Sequence, residues 1–459
     1  MQTPPAARFL SRRAFFKSSA LASGAAALAL PSILSAANKT AAFKVAVIGL
    51  GGRGLSNLRE VMSCGARVVA VGDADANAFP LALAAATNSK NRPRTYTDHL
   101  ELLSNEKELD GVIIATPDHW HAPLAKAVMA AGKHVYCEKP LTHTIAETRE
   151  LRNLARHSKV RTQLGNQGSA DPHLRRAIEL IQAGVIGAVR EVHVWAAASG
   201  SFQTGQAKPS GRDPVPKGLD WDRWVGPASW HDYKKGIYHP KAWRAWYDFG
   251  GGSLADWGCH GLNLPYRALH LDYPVAIEAD AEKPDAFCYP KGVRVRFEFA
   301  ARGILPPVTL WWYDGGRLPP REVLPESVGN LPGEVPQAGV LIRGENGFTF
   351  GQPHPGANYL QLAGDARLEG ILSHPATRHI PETLPRTTNH LQEWMDAGRR
   401  GGETFSDFET GGKLTEIALS GLVALRTGKK LEWDGPGMQA FNAPEAEAFI
   451  HPKHRSGWK

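Results

Sequence analysis

Residues 43–54, Phe-Lys-Val-Ala-Val-Ile-Gly-Leu-Gly-Gly-Arg-Gly, decide the fold of this chain. The first six residues are mostly apolar, as in a buried strand, and a helical stretch at residues 55–62 follows the glycines. Gly49 allows a tight turn, Gly51 a close approach of the backbone to a pyrophosphate, and Gly54 close packing of helix on strand. Together with Gly52 and Arg53, they are candidate cofactor-binding residues.

A second strand, predicted at residues 67–71, ends just before Asp73, about 20 residues beyond the glycines. An acid at this position accepts hydrogen bonds from the adenosine ribose and repels a 2′-phosphate, which favours NAD over NADP as the cofactor. The neighbouring Asp75 either shares that role or caps the next helix.

Strands and helices continue to alternate after this unit. Strands are predicted at residues 111–116 and 133–137, with a helix at 123–131 between them. This order predicts a doubly wound parallel sheet, an α/β fold, for a first domain at residues 38–165. Ligands bind at the carboxyl ends of such strands, so the cofactor crevice should include the residues that follow them: Thr116, Pro117, His121, Glu138 and Lys139.

The N-terminal 37 residues differ from the rest in charge. They contain four basic side chains, among them Arg12 and Arg13, and no acid; the remainder has 49 basic and 45 acidic side chains although the whole chain carries +8. Because no long basic run remains, we expect no nucleic-acid partner. The segment resembles a twin-arginine signal peptide, which implies export of the folded protein by the twin-arginine machinery to the periplasm or beyond, without a stable membrane anchor.

A second candidate site lies in a Trp-rich region. Asp256 and His260 are four residues apart, so on a helix they share one face, and the carboxylate could orient the imidazole as a general base. His119, His121, His231 and His239 lack a set of acidic or Cys ligands, so no metal is expected. The four cysteines form no Cys-x-x-Cys pair; a disulfide stays open, but small buried thiols are expected.

The glycine loop, Asp73, the run Glu138-Lys139-Pro140 and the segment 256–260, in this order, resemble the Gfo/Idh/MocA oxidoreductase family over residues 45–434. Residues 115–121 and 243–250 resemble its secreted branch. The resemblance implies a second, α+β domain at residues 166–434 with an open mixed sheet, often used for homo-oligomer contacts. Helices are predicted at residues 388–400 and 411–426, and residues 435–459 form a tail.

The resemblance also implies roles for three residues. His260 would be the base that removes a hydroxyl proton, Asp256 would support it, and Lys139 would stabilise the developing oxyanion while a hydride passes to the nicotinamide. Gln167 is a further candidate cofactor contact. Candidate substrate contacts are Gln163, Asn166, Tyr238 and Trp243. Asp118 departs from the family, where many members have Asn.

Export and a nucleotide cofactor together suggest a hypothesis. Free NAD is scarce outside the cytoplasm, so the cofactor would be loaded before export, held tightly and recycled within each turnover. The sequence leaves three functions open: an oxidoreductase of a sugar or polyol, an NAD-dependent glycosidase or lyase that works through a transient keto-sugar, and a non-catalytic sugar-binding protein.

Overall fold

The computed structural model describes residues 42–86, 92–197, 204–282, 286–329 and 336–458. The twin-arginine motif and the rest of the expected signal peptide lie outside these residues. Within them, no helix has the length and apolar character needed to cross a bilayer.

The first sheet confirms the doubly wound fold. Its six strands are all parallel and lie in the order β3-β2-β1-β4-β5-β6. Every residue of the central β4 is buried, as expected for a strand covered on both faces. The strands are β1 (Lys44–Ile48), β2 (Arg67–Gly72), β3 (Arg94–Tyr96), β4 (Gly111–Ile114), β5 (His134–Glu138) and β6 (Thr162–Gly165).

Helices connect these strands and cover both faces of the sheet. Asp98 caps the third helix through the backbone N–H groups of Leu100 and Glu101, and Thr144 and Glu147 form a capping box at the start of the fifth. The helices are α1 (Gly52–Ser63), α2 (Phe79–Ala85), α3 (His99–Asn105), α4 (His121–Ala130) and α5 (Ile145–Arg156).

The second sheet is open and mixed, which confirms the mixed sheet expected for the second domain. Its ten strands lie in the order β14-β13-β12-β11-β7-β10-β9-β8-β15-β16, and β7 and β10 run parallel while their other neighbours run antiparallel. The strands are β7 (Val189–Ala196), β8 (Ala276–Ala281), β9 (Val293–Phe299), β10 (Val308–Asp314), β11 (Ala338–Gly344), β12 (Gly347–Gly351), β13 (Asn358–Leu362), β14 (Glu369–Gly370), β15 (Leu431–Asp434) and β16 (Gln439–Ala440).

Several helices accompany this sheet, together with short 3₁₀ turns such as Asp118–Trp120 and Gln167–Ala170. The helices are α6 (Pro172–Gln182), α7 (Trp221–Val225), α8 (Gly252–Gly261), α9 (Asn263–Ala268), α10 (Glu326–Gly329), α11 (His390–Arg400), α12 (Phe408–Thr427) and α13 (Glu447–Ile450).

Two of these late helices pack against the first sheet. In α11, Leu391, Trp394 and Met395 are fully buried in the same apolar cluster as Val45 of β1 and Tyr136 of β5. Helix α11 therefore supplies part of the layer on one face of the parallel sheet, although it follows that sheet by more than 200 residues of chain.

Helix α12 contacts elements of both sheets, including α5, β6, α8 and β8. Glycines allow the close approach: a Cβ on Gly411 would lie 2.7 Å from the Leu164 side chain of β6, and one on Gly421 would lie 2.7 Å from the Phe297 ring of β9. This helix is the main packing element between the sheets.

Candidate active site

A cleft of about 880 Å³ opens at the carboxyl ends of β1 to β4. This volume lies in the usual range for small-molecule sites. Eight of the residues predicted as ligand contacts from sequence line it: Gly49, Gly51, Gly52, Arg53, Asp73, Thr116, Pro117 and Trp243.

The glycines of the β1–α1 turn have distinct environments. Gly49 has a φ of +86°, and a Cβ there would lie 2.6 Å from the backbone of Ala115. A Cβ on Gly54 would lie 1.7 Å from the carbonyl oxygen of Gly49, so only glycine lets α1 start this close to the turn. A Cβ on Gly51 or Gly52 would meet no atom within 4 Å, which leaves room for a ligand against this backbone.

Asp73 lies at the end of β2, beside the glycine turn. Its carboxylate accepts hydrogen bonds from the backbone N–H of Leu50 (2.7 Å) and of Asp75 (2.9 Å). Burial raises the pKa of Asp73 to about 6 in spite of these donors, so the group is still mostly ionised at pH 7. Asp75 accepts a hydrogen bond from the Asn77 N–H at the start of a 3₁₀ turn, as the capping alternative requires.

Two buried polar atoms beside the cleft have no hydrogen-bond partner among the described residues: Thr116 Oγ1 and Arg53 Nη2, which lies 3.8 Å from the Glu60 carboxylate. Buried polar groups are normally paired, so such atoms point to a polar ligand. A guanidinium donor and open glycine backbone beside a cleft of this size fit an anionic dinucleotide such as NAD.

Glu138 and Gln167, two candidate cofactor contacts, are hydrogen-bonded to each other, and Glu138 pairs with Arg53. The Glu138 carboxylate accepts from Arg53 Nε (2.9 Å), from Asn57 Nδ2 (2.8 Å) and from Gln167 Nε2 (3.0 Å). Glu138 is buried and does not line the cleft. These contacts position the Arg53 side chain.

Lys139 follows β5 and forms an ion pair with Asp256 of α8, with 2.5 Å between Nζ and Oδ1. Arg244, which lines the cleft, lies 3.4 Å from the same carboxylate oxygen. Burial alone would raise the pKa of Asp256, but the Lys139 and Arg244 cations hold it below its usual value. Arg244, Asp256 and Lys139 therefore form a charged network that extends inward from the cleft wall.

His260 is oriented by Asn166, and among the described contacts Asp256 forms no hydrogen bond with it. The imidazole Nδ1 lies 2.8 Å from Asn166 Oδ1, and Asn166 Nδ2 donates to the backbone oxygen of Cys259 (2.6 Å). Asp256 is drawn to Lys139 because two opposite charges attract more strongly than a carboxylate and a neutral imidazole. Asn166, a candidate substrate contact, is buried and holds the His260 ring.

The surroundings of His260 favour the neutral imidazole. The residue is 3% exposed, and its ring centroid lies 4.1 Å from that of His354 in the β12–β13 loop. Burial, together with the Lys139 and His354 charges, lowers the pKa of His260 well below its usual value. Because an amide oxygen accepts from Nδ1–H, the lone pair lies on Nε2, which is then the basic atom.

Asp118, which differs from the asparagine expected from the family resemblance, lies near Asp256, Arg244 and Lys139. It is 5% exposed. Burial and the nearby Asp256 carboxylate raise the pKa of Asp118 to about 8, against the opposing effect of Arg244 and Lys139. These surroundings therefore favour the protonated carboxyl group, which can donate a hydrogen bond.

Three other residues expected to contact a ligand lie elsewhere. Gln163 is fully buried and donates to the backbone of His390 (2.6 Å). Tyr238 is buried in the aromatic cluster of the Trp-rich region, with its hydroxyl 3.2 Å from His231. Both ring nitrogens of His121 face backbone oxygens, of Pro140 (2.7 Å) and Thr116 (3.0 Å), so this residue braces the crevice from behind.

Several residues that line the cleft were not predicted as ligand contacts, including Trp120, Arg244 and Trp458. Arg244 directly follows Trp243, a candidate substrate contact, so its position in the sequence could have marked it as a cleft residue. Trp458 lies in the tail, and no local pattern links it to the site. In the described ranges, no group of three or more His, Cys, Asp or Glu side chains has the arrangement of a metal site.

Comparison with known proteins identifies the family over residues 43–306. The model described as "Oxidoreductase family, NAD-binding Rossmann fold" matches residues 43–166, and that described as "Oxidoreductase family, C-terminal alpha/beta domain" matches residues 173–306. Together the two matches span more than half of the chain.

Curated relatives match over shorter regions. Inositol 2-dehydrogenase 1 of Saccharopolyspora erythraea is 34% identical over 154 residues, which are 33% of this chain and 44% of that protein. The glycosyl hydrolase family 109 protein 2 of Shewanella sp. (strain ANA-3) is 36% identical over 113 residues, 24% of this chain and 25% of that protein. The chain thus matches less than half the length of either relative.

Solved structures share the fold over most of the chain. The aldose-aldose oxidoreductase of Caulobacter crescentus, complexed with glycerol, has a TM-score of 0.59 and 18% identity, covering 85% of this chain and 100% of that one. An inositol dehydrogenase homolog from Azotobacter vinelandii, complexed with NADH and myo-inositol, has a TM-score of 0.58 and 17% identity, covering 85% and 98%. With its NAD-binding Rossmann domain and its second α/β domain both matched, the chain belongs to the Gfo/Idh/MocA family of oxidoreductases.

Proposed function

We propose that this protein oxidises a hydroxyl group of a sugar or polyol, with Lys139 and His260 as its catalytic residues. The observation that carries the proposal is the meeting of Lys139, at the end of β5, with Asp256 of α8 beside the buried His260. NAD, when bound in the cleft, would accept the hydride from the carbinol carbon.

Each residue has a distinct part in the proposed reaction. His260, with its lone pair on Nε2, takes the hydroxyl proton, and Asn166 fixes the ring in that tautomer. The Lys139 ammonium stabilises the oxygen as negative charge develops on it. Asp256 holds that ammonium in place, and Arg244 ties the pair to the cleft wall.

Export and retention of the cofactor form the second part of the proposal. The Arg12-Arg13 motif supports export by the twin-arginine machinery, which carries folded proteins, so NAD would be bound in the cytoplasm and recycled within each turnover. The name of the aldose-aldose oxidoreductase with this fold supports a reaction in which one sugar is oxidised and another reduced. An assembly of identical subunits through the open second sheet is part of the same proposal.

The test uses the mature protein isolated from the periplasm. NAD should remain bound after desalting, and sugars or polyols should be oxidised only when a carbonyl compound is supplied as acceptor. Lys139→Met should abolish turnover while NAD binding persists. The matched control is Lys126→Met, because Lys126 also forms an ion pair, with Glu150 (3.1 Å), but lies outside the cleft. Unchanged turnover in Lys139→Met would rule out the proposed role.

A second candidate function is favoured by the glycosyl hydrolase family 109 relatives. Here a hydroxyl two carbons from the glycosidic carbon would be transiently oxidised to a ketone, which acidifies the intervening C–H. Loss of that proton would eliminate the aglycone, water would add to the resulting double bond, and the hydride would return from the cofactor to the ketone. Incubation of the protein with glycosides and no acceptor separates the two candidates: release of the aglycone supports the glycosidase, whereas acceptor-dependent oxidation with an intact glycoside supports the oxidoreductase.

A further inference from the structure

The C-terminal tail runs along the rim of the cofactor cleft. Gly457 and Trp458 line the cleft, beside residues of the first domain. The sequence predicts only a structural role for residues 435–459, so the structure places an additional side chain, Trp458, at the site.

Arg455 anchors the tail to the segment that follows α7. Its backbone N–H donates to the Pro227 oxygen (2.9 Å), and its guanidinium donates to the Gly226 oxygen (2.9 Å) and to the Asp222 carboxylate (2.7 Å). The guanidinium also lies over the rings of Trp230 and Trp458, 5.2 and 5.3 Å from their centroids. Both backbone and side chain therefore hold the tail in place.

Trp458 packs edge-on against Trp120, with ring centroids 5.6 Å apart at an interplanar angle of 86°. Trp120 is itself fixed, since its Nε1 donates to the backbone oxygens of Arg223 (3.0 Å) and Trp224 (3.1 Å). A Cβ on Gly226 would lie 2.3 Å from the Trp120 ring, so the backbone closes directly on this ring. The position of Trp458 is therefore well defined.

The order of the strands shows which end of the cleft the tail covers. Asp73 follows β2 and His99 lies in α3, after β3, whereas Lys139 follows β5 on the opposite side of β1. The Trp120 ring lies 5.3 Å from the His99 ring, so the Trp120–Trp458 pair is at the β3 side. Leu100, Leu124 and Ala127 complete an apolar wall there. This is the end that takes the adenosine of a dinucleotide.

We propose that residues 455–458 form a cofactor clasp, in which Trp458 covers the adenosine end of the cleft and Arg455 holds it closed. A planar base against an indole ring and aliphatic side chains loses these contacts only when the tail moves, so the clasp slows the release of NAD. The inference deepens the retention part of the proposed function, and it requires NAD binding but no particular substrate.

The experiment measures release of NADH from the purified full-length protein by stopped-flow fluorescence, with excess NAD as the competitor. Trp458→Ala and Arg455→Ala should each speed release about tenfold or more. Lys453→Ala, at an exposed position of the same tail, is the matched control and should release NADH at the unaltered rate. Release from Trp458→Ala or Arg455→Ala at the rate of this control overturns the proposal.

A second measurement locates the effect on the cofactor. The affinity for ADP-ribose, which keeps the adenosine end and lacks nicotinamide, should fall by the same factor as the affinity for NAD. If NAD weakens and ADP-ribose does not, the clasp is not at the adenosine end and the proposal fails. Trp458→Phe, which keeps an aromatic ring, should release NADH at an intermediate rate. It replaces Trp458→Ala in the comparison if that variant does not fold. Because no substrate is used, the result is independent of the catalytic proposal.

Discussion

Asp256 and His260 show what residue spacing can and cannot predict. Positions four apart on a helix do share a face, and α8 does carry both residues. Spacing cannot tell which partner an ionised side chain takes when a cation from another element is in reach. Asp256 pairs with Lys139, and the neutral amide of Asn166, 94 residues before His260, takes the imidazole. Both contacts depend on tertiary packing, which no local pattern encodes.

Asp118 gives a prediction for the pH dependence of stability. Its pKa is raised from the ordinary 3.8 to about 8 in the folded protein, so between these values the unfolded chain releases a proton that the folded chain keeps. This contribution therefore makes the wild type less stable as pH rises from 4 to 8, by roughly 1.4 kcal/mol per unit of pKa shift. Asp118→Asn cannot ionise and escapes that loss.

Urea unfolding from pH 5 to pH 9 measures this effect. The stability of Asp118→Asn relative to wild type should increase through the range and level off above the folded pKa, with a total gain of a few kcal/mol. Asp232→Asn, at an exposed position, is the control and should show no such trend. A difference that stays constant with pH would contradict the raised pKa of Asp118.

At the scale of elements, the sequence predicts the first sheet well and the second sheet poorly. The predicted helix at 55–62 is found as Gly52–Ser63 and the strand at 67–71 as Arg67–Gly72, because buried parallel strands and glycine turns leave strong local patterns. The pairing of β7 with β10 and β11 joins segments more than 100 residues apart, and periodicity carries no information about such partners. The docking of the tail has no local signal either.

The β1–α1 turn offers a matched pair of glycine substitutions. Gly54→Ala should lower stability by several kcal/mol, because the added methyl group would lie 1.7 Å from the Gly49 oxygen. Gly51→Ala should leave the melting temperature of the ligand-free protein nearly unchanged, since Gly51 has a φ of −61° and open space at its Cβ.

The two variants should separate folding from cofactor binding. Gly51→Ala should still weaken NAD binding at least tenfold, because its methyl group occupies the space where a pyrophosphate approaches. Thermal melts and calorimetric titration with NAD measure the two effects. Unweakened NAD binding by Gly51→Ala would mean that the pyrophosphate does not lie against this turn.

At the scale of the whole molecule, late helices pack against both sheets and join them. Helix α12 packs against β6 of the first sheet and β8 of the second, and α11 completes a face of the first. The two domains share apolar layers, so neither should be stable without the other.

Calorimetry tests this coupling. The protein should unfold in a single transition, and saturating NAD should move the whole transition to higher temperature although NAD contacts mainly the first domain. Near-UV circular dichroism should follow the same curve, since buried tryptophans occur in both domains, for example Trp120 in the first and Trp312 of β10 in the second. Two resolved transitions, with only one shifted by NAD, would show that the domains unfold independently.

The late position of α11 also has a consequence for biosynthesis. The Arg12-Arg13 motif leaves the ribosome first, whereas the parallel sheet has both faces covered only after residue 400 has been made. At translation rates of about 5–20 residues per second, this interval lasts tens of seconds. On the export route proposed above, the signal would be exposed long before the nucleotide-binding domain can close, and we expect export to need a factor that shields the N-terminus until synthesis is finished.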